Sequence, residues 1–234
     1  MYFDEDLVLE IRLNTLNEIV DRFVICEATR DHAGNKKDLK FNIDKFTKFK
    51  DKIDYIIVDD MPLEVKSNRK NWHENHVRDQ FQRNALERGL KKCNPDDWIM
   101  ISDIDEIPDP KRIRDFNIKN KYACFLQKNF QSKINLLNMS EDFWPGTKIC
   151  QKKNLKSPQW LRNIKIKKKP FWKLFSDRQP QLIKDAGWHF SFLKKPESII
   201  KKIRSYSHQE FNTPKFTNKN TIEEKISNGE DLFE

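Results

Sequence analysis

The chain has 234 residues, 37% hydrophobic and 12% aromatic, with 35% charged residues and a mean hydropathy of −0.86. That length and apolar content suit one domain with a real core and exclude a disordered chain. A net charge of +9 and a pI near 9.2 favour an anionic partner such as a nucleotide, a nucleic acid or an acidic glycan, and equally fit lysine-rich solvated faces.

Cys26, Cys93, Cys124 and Cys150 form no C-x-x-C pair, so reduced thiols are expected and structural zinc is not. The acidic N-terminal stretch lacks the basic-then-apolar layout of a signal peptide. No apolar run reaches the roughly eighteen residues a bilayer span requires. A soluble, cytoplasmic protein is the expectation.

Leu9, Leu13, Leu16 and Val20 recur at helical spacing. A strand follows over 22–27, then a polar loop with Gly34, then a second strand over 54–58. Residues 72–90 are helical again, with Val77, Phe81 and Ala85 in one row beside Leu86 and Leu90. A short apolar strand at 98–101 comes next. This alternation predicts an α/β sheet with parallel members. Further strands are expected at 122–130 and 187–193, a basic aromatic stretch at 155–172, a helix from 199, and turns over 212–220.

The strand at 98–101 runs into Asp103, Asp105 and Glu106, and Pro108 and Pro110 then break the chain. In open α/β sheets ligands bind outside the carboxyl ends of strands. Two carboxylates one residue apart at such a place can hold a hard divalent cation that bridges a substrate's phosphates. The same acids can instead cap a helix starting near Pro108 or solvate a turn. Glu27, Thr29 and Arg30 stand at the carboxyl end of the first strand, where a base and ribose would lodge.

Arg78, Gln82 and Arg83 can face one site from the 72–90 helix, and an arginine there can pair bidentately with diphosphate. An exposed ion-pair helix with Glu74 and Glu87 is the competing reading for Arg78. His73-Glu74-Asn75-His76 falls one residue short of the H-E-x-x-H zinc spacing and reads as surface decoration. Asn138-Met139-Ser140 matches a glycosylation sequon without consequence in a cytosolic chain. The basic run at 165–169, flanked by Trp160 and Trp172, is either a solvated strand edge or an acceptor-binding stretch.

Six blocks in order carry a resemblance: Leu9-Glu10-Ile11-Arg12-Leu13-Asn14, Phe23-Val24-Ile25-Cys26-Glu27-Ala28-Thr29, Gln82-Arg83-Asn84-Ala85, residues 102–108, residues 185–191, and Ser207-His208-Gln209-Glu210-Phe211-Asn212. Together they resemble glycosyltransferase family 17, the family of the animal enzymes that add the bisecting GlcNAc, over residues 3–233. The pattern departs from the family at both ends and lacks the membrane anchor of the animal members. That leaves a Golgi setting and an N-glycan acceptor open.

The resemblance implies a single GT-A-type domain over 1–234, a Rossmann-like α/β fold with a mixed, mainly parallel central sheet. Residues 1–110 would form the nucleotide-sugar half and 111–234 the acceptor half. The implied reaction moves a sugar, GlcNAc from UDP-GlcNAc first of all, onto a glycan hydroxyl with inversion, using Mn²⁺ or Mg²⁺. On this basis Asp103, Asp105 and His189 are metal ligands, with His208 the competitor for the third place and a satisfied core histidine the bland reading of His189. Glu27, Thr29, Arg30, Arg83, Asn84 and Asp103 would bind the donor. Asp185 is the first choice of general base, ahead of Asp177 and Glu210, and otherwise a turn residue before Gly187. Glu106 either touches the donor sugar or deepens the negative field. The partners implied are a nucleotide-sugar donor and a glycan acceptor, with no nucleic acid and no integral membrane segment. The rival readings are a metal-dependent nuclease or phosphoesterase, and a sugar-nucleotide-binding domain without turnover.

Overall fold

The computed structural model describes residues 1–64, 74–139, 143–166 and 180–233. The elements run α1 (Asp6–Leu16), β1 (Phe23–Ala28), β2 (Ile53–Val58), α2 (Glu74–Ala85), β3 (Trp98–Ile101), β4 (Glu106–Pro108), α3 (Pro110–Ile113), β5 (Tyr122–Gln131), β6 (Trp144–Gln151), α4 (Pro158–Arg162), β7 (Gln181–Ile183), β8 (Gly187–Ser191), α5 (Pro196–Ser205), α6 (Pro214–Thr217) and α7 (Lys219–Asn228). An α/β chain was expected and is found. Trp72, His73, Ser140, residues 167–169, Trp172 and Asp177 lie outside the described residues.

Helix α1 buries the predicted row, with Leu9, Leu13 and Leu16 against Phe23 and Ile25 of β1, Phe125 of β5 and Ile149 of β6. The helical pattern over 72–90 resolves into α2 and a 3₁₀ segment at Leu86–Leu90, where Gly89 sits close beneath Val24. Pairing is not mainly parallel. The β1–β2, β5–β7 and β5–β8 ladders are parallel, and the β3–β6, β5–β6 and β4–β8 ladders antiparallel. The sequence signal was misleading because β4, β6 and β7 went unread: two are very short, and β6 opens on Trp144-Pro145-Gly146, a turn-like tripeptide.

Two sheets result, one of β1 and β2, the other ordered β3-β6-β5-β8-β4 with β7 alongside β5. Strands β3 and β4 lie at opposite ends of that order, yet only residues 102–105 join them. Such a link, five Cα steps, reaches about 18 Å at most, while four strand spacings span about 19 Å in a flat sheet, so the sheet curls until its two edges meet. Ser102 Oγ lies 2.9 Å from Thr147 Oγ1 of β6, and Thr147 reaches the Glu106 carbonyl at 3.5 Å, which closes the curl. Between β1 and β3 is a cavity of about 1020 Å³ lined by Val24, Ile25, Ile99 and Ile101. Ser102 and Ile104 border it, whereas Asp103 and Asp105 do not.

Strand β8 occupies the decisive position. Its His189 faces Glu106 across the β4 ladder and Asn129 across the β5 ladder. Residues directly opposed share a face with Cβ atoms about 5 Å apart. The register alone therefore brings these three side chains together.

A second, small cluster of Ile199, Ile203, Ile222 and Leu232 packs α5 against α7. The four cysteines are free, as expected, and burial pushes the Cys124 and Cys150 thiols up to about 11 and about 12. Among the described residues no helix is long and apolar enough to cross a membrane.

Gly187 tests the β4–β8 approach. Its φ is +123°, and a Cβ there would stand 2.2 Å from the Ile107 carbonyl oxygen and 2.7 Å from the Asp109 nitrogen. Gly187→Ala is expected to destabilise the protein by about 2–4 kcal/mol, read as a lowered urea midpoint, since backbone atoms cannot give way.

Candidate active site

The acids occupy the turn between β3 and β4, closed by a Glu106 N–H to Asp103 carbonyl bond of 3.1 Å. Glu106, the last of them, is fully buried. One of its oxygens accepts from Arg162 Nη2 at 2.6 Å and Trp144 Nε1 at 2.8 Å. The other accepts from Arg162 Nη1 and the Asp103 N–H, both at 3.1 Å. A carboxylate offers about four lone-pair sites, and here all are taken. Glu106 is thus an anchor for the turn and has no oxygen left for a sugar or a proton.

Asp103 is gripped by two arginines, Arg162 Nη2 at 2.9 Å and Arg83 Nη2 at 3.2 Å. Burial opposes its ionisation, but Arg162 and then Arg83 outweigh burial and hold the carboxyl well below the usual range. Arg12 from α1 donates to the Glu106 carbonyl and, at 3.1 Å, to Ser102 Oγ. Burial pushes its guanidinium down to about 10 against the pull of Glu106, Asp105 and Asp103. It stays charged at neutral pH.

Asp105 is treated differently. Its Oδ2 lies 3.4 Å from Lys202 Nζ of α5, and its Oδ1 stands 3.8 Å from His189 Nε2. That second distance is too long for a hydrogen bond. It lies within the span of two ligands on one cation at about 2.0–2.2 Å each. His189 Nδ1 pairs at 2.9 Å with Asn129 Oδ1, which orients the ring with Nε2 toward Asp105. The imidazole stacks on Trp144 with centroids 4.3 Å apart and planes 15° from parallel. The donor set therefore fits a divalent cation at Asp105 and His189.

The structure brings Arg83, Asp103, Asp105, Glu106 and His189 together and leaves other expected residues elsewhere. Glu27 does stand at the carboxyl end of β1, but it is fully buried and spent on structure. Its oxygens take Lys37 Nζ at 2.6 Å, the Lys40 and Phe41 N–H groups at 2.9 and 3.0 Å, and Tyr55 Oη at 2.9 Å. Thr29 donates its N–H to Val58, and Arg30 reaches the Gly34 carbonyl, so both hold the adjoining loop. Asn84 accepts from the Gln159 N–H at 3.0 Å and pins the start of α4. Arg78 is buried as a strap, donating to the carbonyls of His32, Pro62 and Leu63 as well as to Glu74.

Asp185 does not join the acids. It is exposed in the left-handed turn before β8, with φ of 47°. His189 lies four residues on, inside β8, whereas Asp185 precedes the strand. The turn reading of Asp185 is the one this geometry carries.

Sequence reasoning missed Arg162, Trp144, Asn129 and Lys202. Helix α4, which delivers Arg162, had a legible start: Ser157 caps the Trp160 N–H at 3.1 Å and Pro158 takes the first turn. Nothing in the sequence pairs residue 162 with residue 106.

The family model described as glycosyltransferase family 17 matches residues 1–234. The chain belongs to that family. The β-1,4-mannosyl-glycoprotein 4-β-N-acetylglucosaminyltransferase of Homo sapiens is 24% identical over 229 residues, covering 87% of this chain and 42% of the human protein. Its Rattus norvegicus counterpart is also 24% identical over 229 residues, with 87% and 41% covered. This family 17 chain thus spans less than half the length of those relatives. No solved structure gives a significant match. The acid turn is the candidate active site of this family 17 chain.

Two outcomes follow for this family 17 chain. Arg162→Met leaves Glu106 and Asp103 buried without their main counter-charge and should cost about 3–5 kcal/mol in urea unfolding, with part restored by adding Glu106→Gln. Glu5, buried beneath Lys194 and Lys202, supplies the pH test. Burial raises its carboxyl, Lys202 and Lys194 lower it more, and it settles at about 2 against an ordinary 4.5. A folded-state value below the unfolded one gives stability that is complete above 4.5 and lost as pH falls through 2. Roughly 3 kcal/mol should disappear over that interval, and Glu5→Gln should flatten the acid limb of the stability curve.

Proposed function

We propose that this family 17 chain is a metal-dependent, inverting N-acetylglucosaminyltransferase that moves GlcNAc from UDP-GlcNAc to a glycan hydroxyl on a GT-A-type fold. The observation that carries the reading is the Asp105–His189 pair, with its imidazole held by Asn129 and its ring shelved on Trp144. The names of the mammalian relatives support the donor sugar and the glycan acceptor. Parallel β1 and β2, with the acids at the carboxyl end of β3, support the fold. Four free cysteines suit a reducing, cytoplasmic setting.

Asp105 and His189 would hold the cation, and imidazole in the donor set favours Mn²⁺ over Mg²⁺. Such an ion supplies Lewis-acid stabilisation of the charge that develops on the leaving diphosphate. Lys202, at the other oxygen of Asp105, is placed to pair with the same phosphates. Arg83 and Arg162 fix Asp103, so the turn needs little rearrangement when substrate arrives. In the transfer the acceptor hydroxyl attacks the anomeric carbon and the bond to UDP breaks. The hydroxyl proton passes to a carboxylate other than Glu106 or the remote Asp185.

The test is UDP release from UDP-GlcNAc with a glycan acceptor, with and without Mn²⁺. Release should require Mn²⁺ and fall at least about 100-fold in Asp105→Asn and His189→Gln. Asn129→Ala should weaken Mn²⁺ binding about 10–100-fold through loss of the ring's orientation. Equal release with chelator present, or UDP-GlcNAc binding without any release, overturns the proposal.

A further inference from the structure

Three ligand-type side chains outside the acid turn converge. They are His76 in the first turns of α2, and His208 and Glu210 on the turn that follows α5. A donor atom from each lies within 4.8 Å of the other two. We propose that His76, His208 and Glu210 form a second cation site, selective for a borderline divalent ion such as Zn²⁺, Co²⁺ or Ni²⁺, which ties α2 to the turn after α5.

The chemistry sets the ion class. Two imidazoles and one carboxylate suit first-row transition ions and disfavour Mg²⁺ and Ca²⁺, which take oxygen ligands. His208 Nδ1 and Glu210 Oε1 stand 2.7 Å apart, so both atoms can face one ion. The His76 and His208 rings meet edge to face with centroids 5.3 Å apart. Ligands on one zinc stand at most about 4.4 Å apart, so small rotations of half-exposed side chains close the set.

The backbone beneath is fixed on both sides. The Gln209 amide donates to the Tyr206 carbonyl at 2.8 Å, and Phe211 packs on Phe233 at 4.5 Å, which holds the 207–211 turn. Arg78 straps the start of α2 through the Pro62 and Leu63 carbonyls. Residues 76 and 208 are far apart in sequence, so an ion between them is a cross-link that no local segment supplies. It joins the helix bearing Arg83 to the segment following the helix that bears Lys202, the two flanks of the acid turn. Its role is positional, and it stands independently of the donor and metal proposed for the acid turn.

The full chain titrated with Co²⁺ tests this, read by visible absorption and by calorimetry, with Zn²⁺ added to displace it. The parent and Asp105→Asn should both bind Co²⁺ at this site and show the ligand-field band. His76→Gln and His208→Gln should weaken that binding at least 10-fold and lose the band. Zn²⁺ should raise the thermal midpoint of the parent and leave that of His208→Gln unchanged, with circular dichroism showing each variant folded. A parent without the band, a His208→Gln protein that keeps it, or an Asp105→Asn protein that loses it overturns the second site.

Discussion

The site depends on the contact between Arg162 and Glu106. A carboxylate with no exposure to water is costly unless paired and fully hydrogen-bonded. Arg162 meets that demand with both terminal nitrogens, while its remaining reach holds Asp103 and the Gly146 carbonyl. Burial works against the guanidinium's charge, and Glu106 and Asp103 outweigh it and push its pKa up. Trp144 extends the arrangement, donating to Glu106 from its indole edge and stacking its face on His189. A chain of contacts therefore runs from α4 through the anchor carboxylate to the imidazole that faces Asp105.

The arrangement sorts three neighbouring acids into different roles. Glu106 has every oxygen site filled, and Asp103 is shared by two arginines. Asp105 keeps one oxygen toward Lys202 and one toward His189. The letters of the motif make the three look alike. Their surroundings decide which carboxylate can take a cation, because a saturated carboxylate has no lone pair to offer.

Sheet curvature performs the same sorting at larger scale. Strands β3 and β4 follow one another in sequence and end a five-strand path at opposite edges, so the short acid turn forces the sheet round on itself. That curl sets Thr147 of β6 beside both Ser102 and the Glu106 carbonyl. The β4–β8–β5 register then places His189 between Glu106 and Asn129. Gly187 permits the close β4–β8 approach, having no Cβ to meet the Ile107 carbonyl.

Much was readable without coordinates. The leucine row of α1, the apolar runs of β1, β2 and β3 and the acids beyond β3 follow from local periodicity and turn chemistry, which act over a few residues. Six ordered blocks of sequence determined the family. What the sequence left undecided is long-range: Glu27 lies where a nucleotide would be sought, yet the Lys37 side chain, two backbone N–H groups of the 37–41 loop and Tyr55 consume it. Likewise His76 looks like decoration until α2 is packed beside residue 208. The order of charged and apolar residues along the chain determined which segments form and which chemistry they can offer. Only the tertiary structure decided which carboxylate is neutralised by a distant arginine and which faces a histidine, because partners 56 and 84 residues apart are chosen by sheet curvature and strand register.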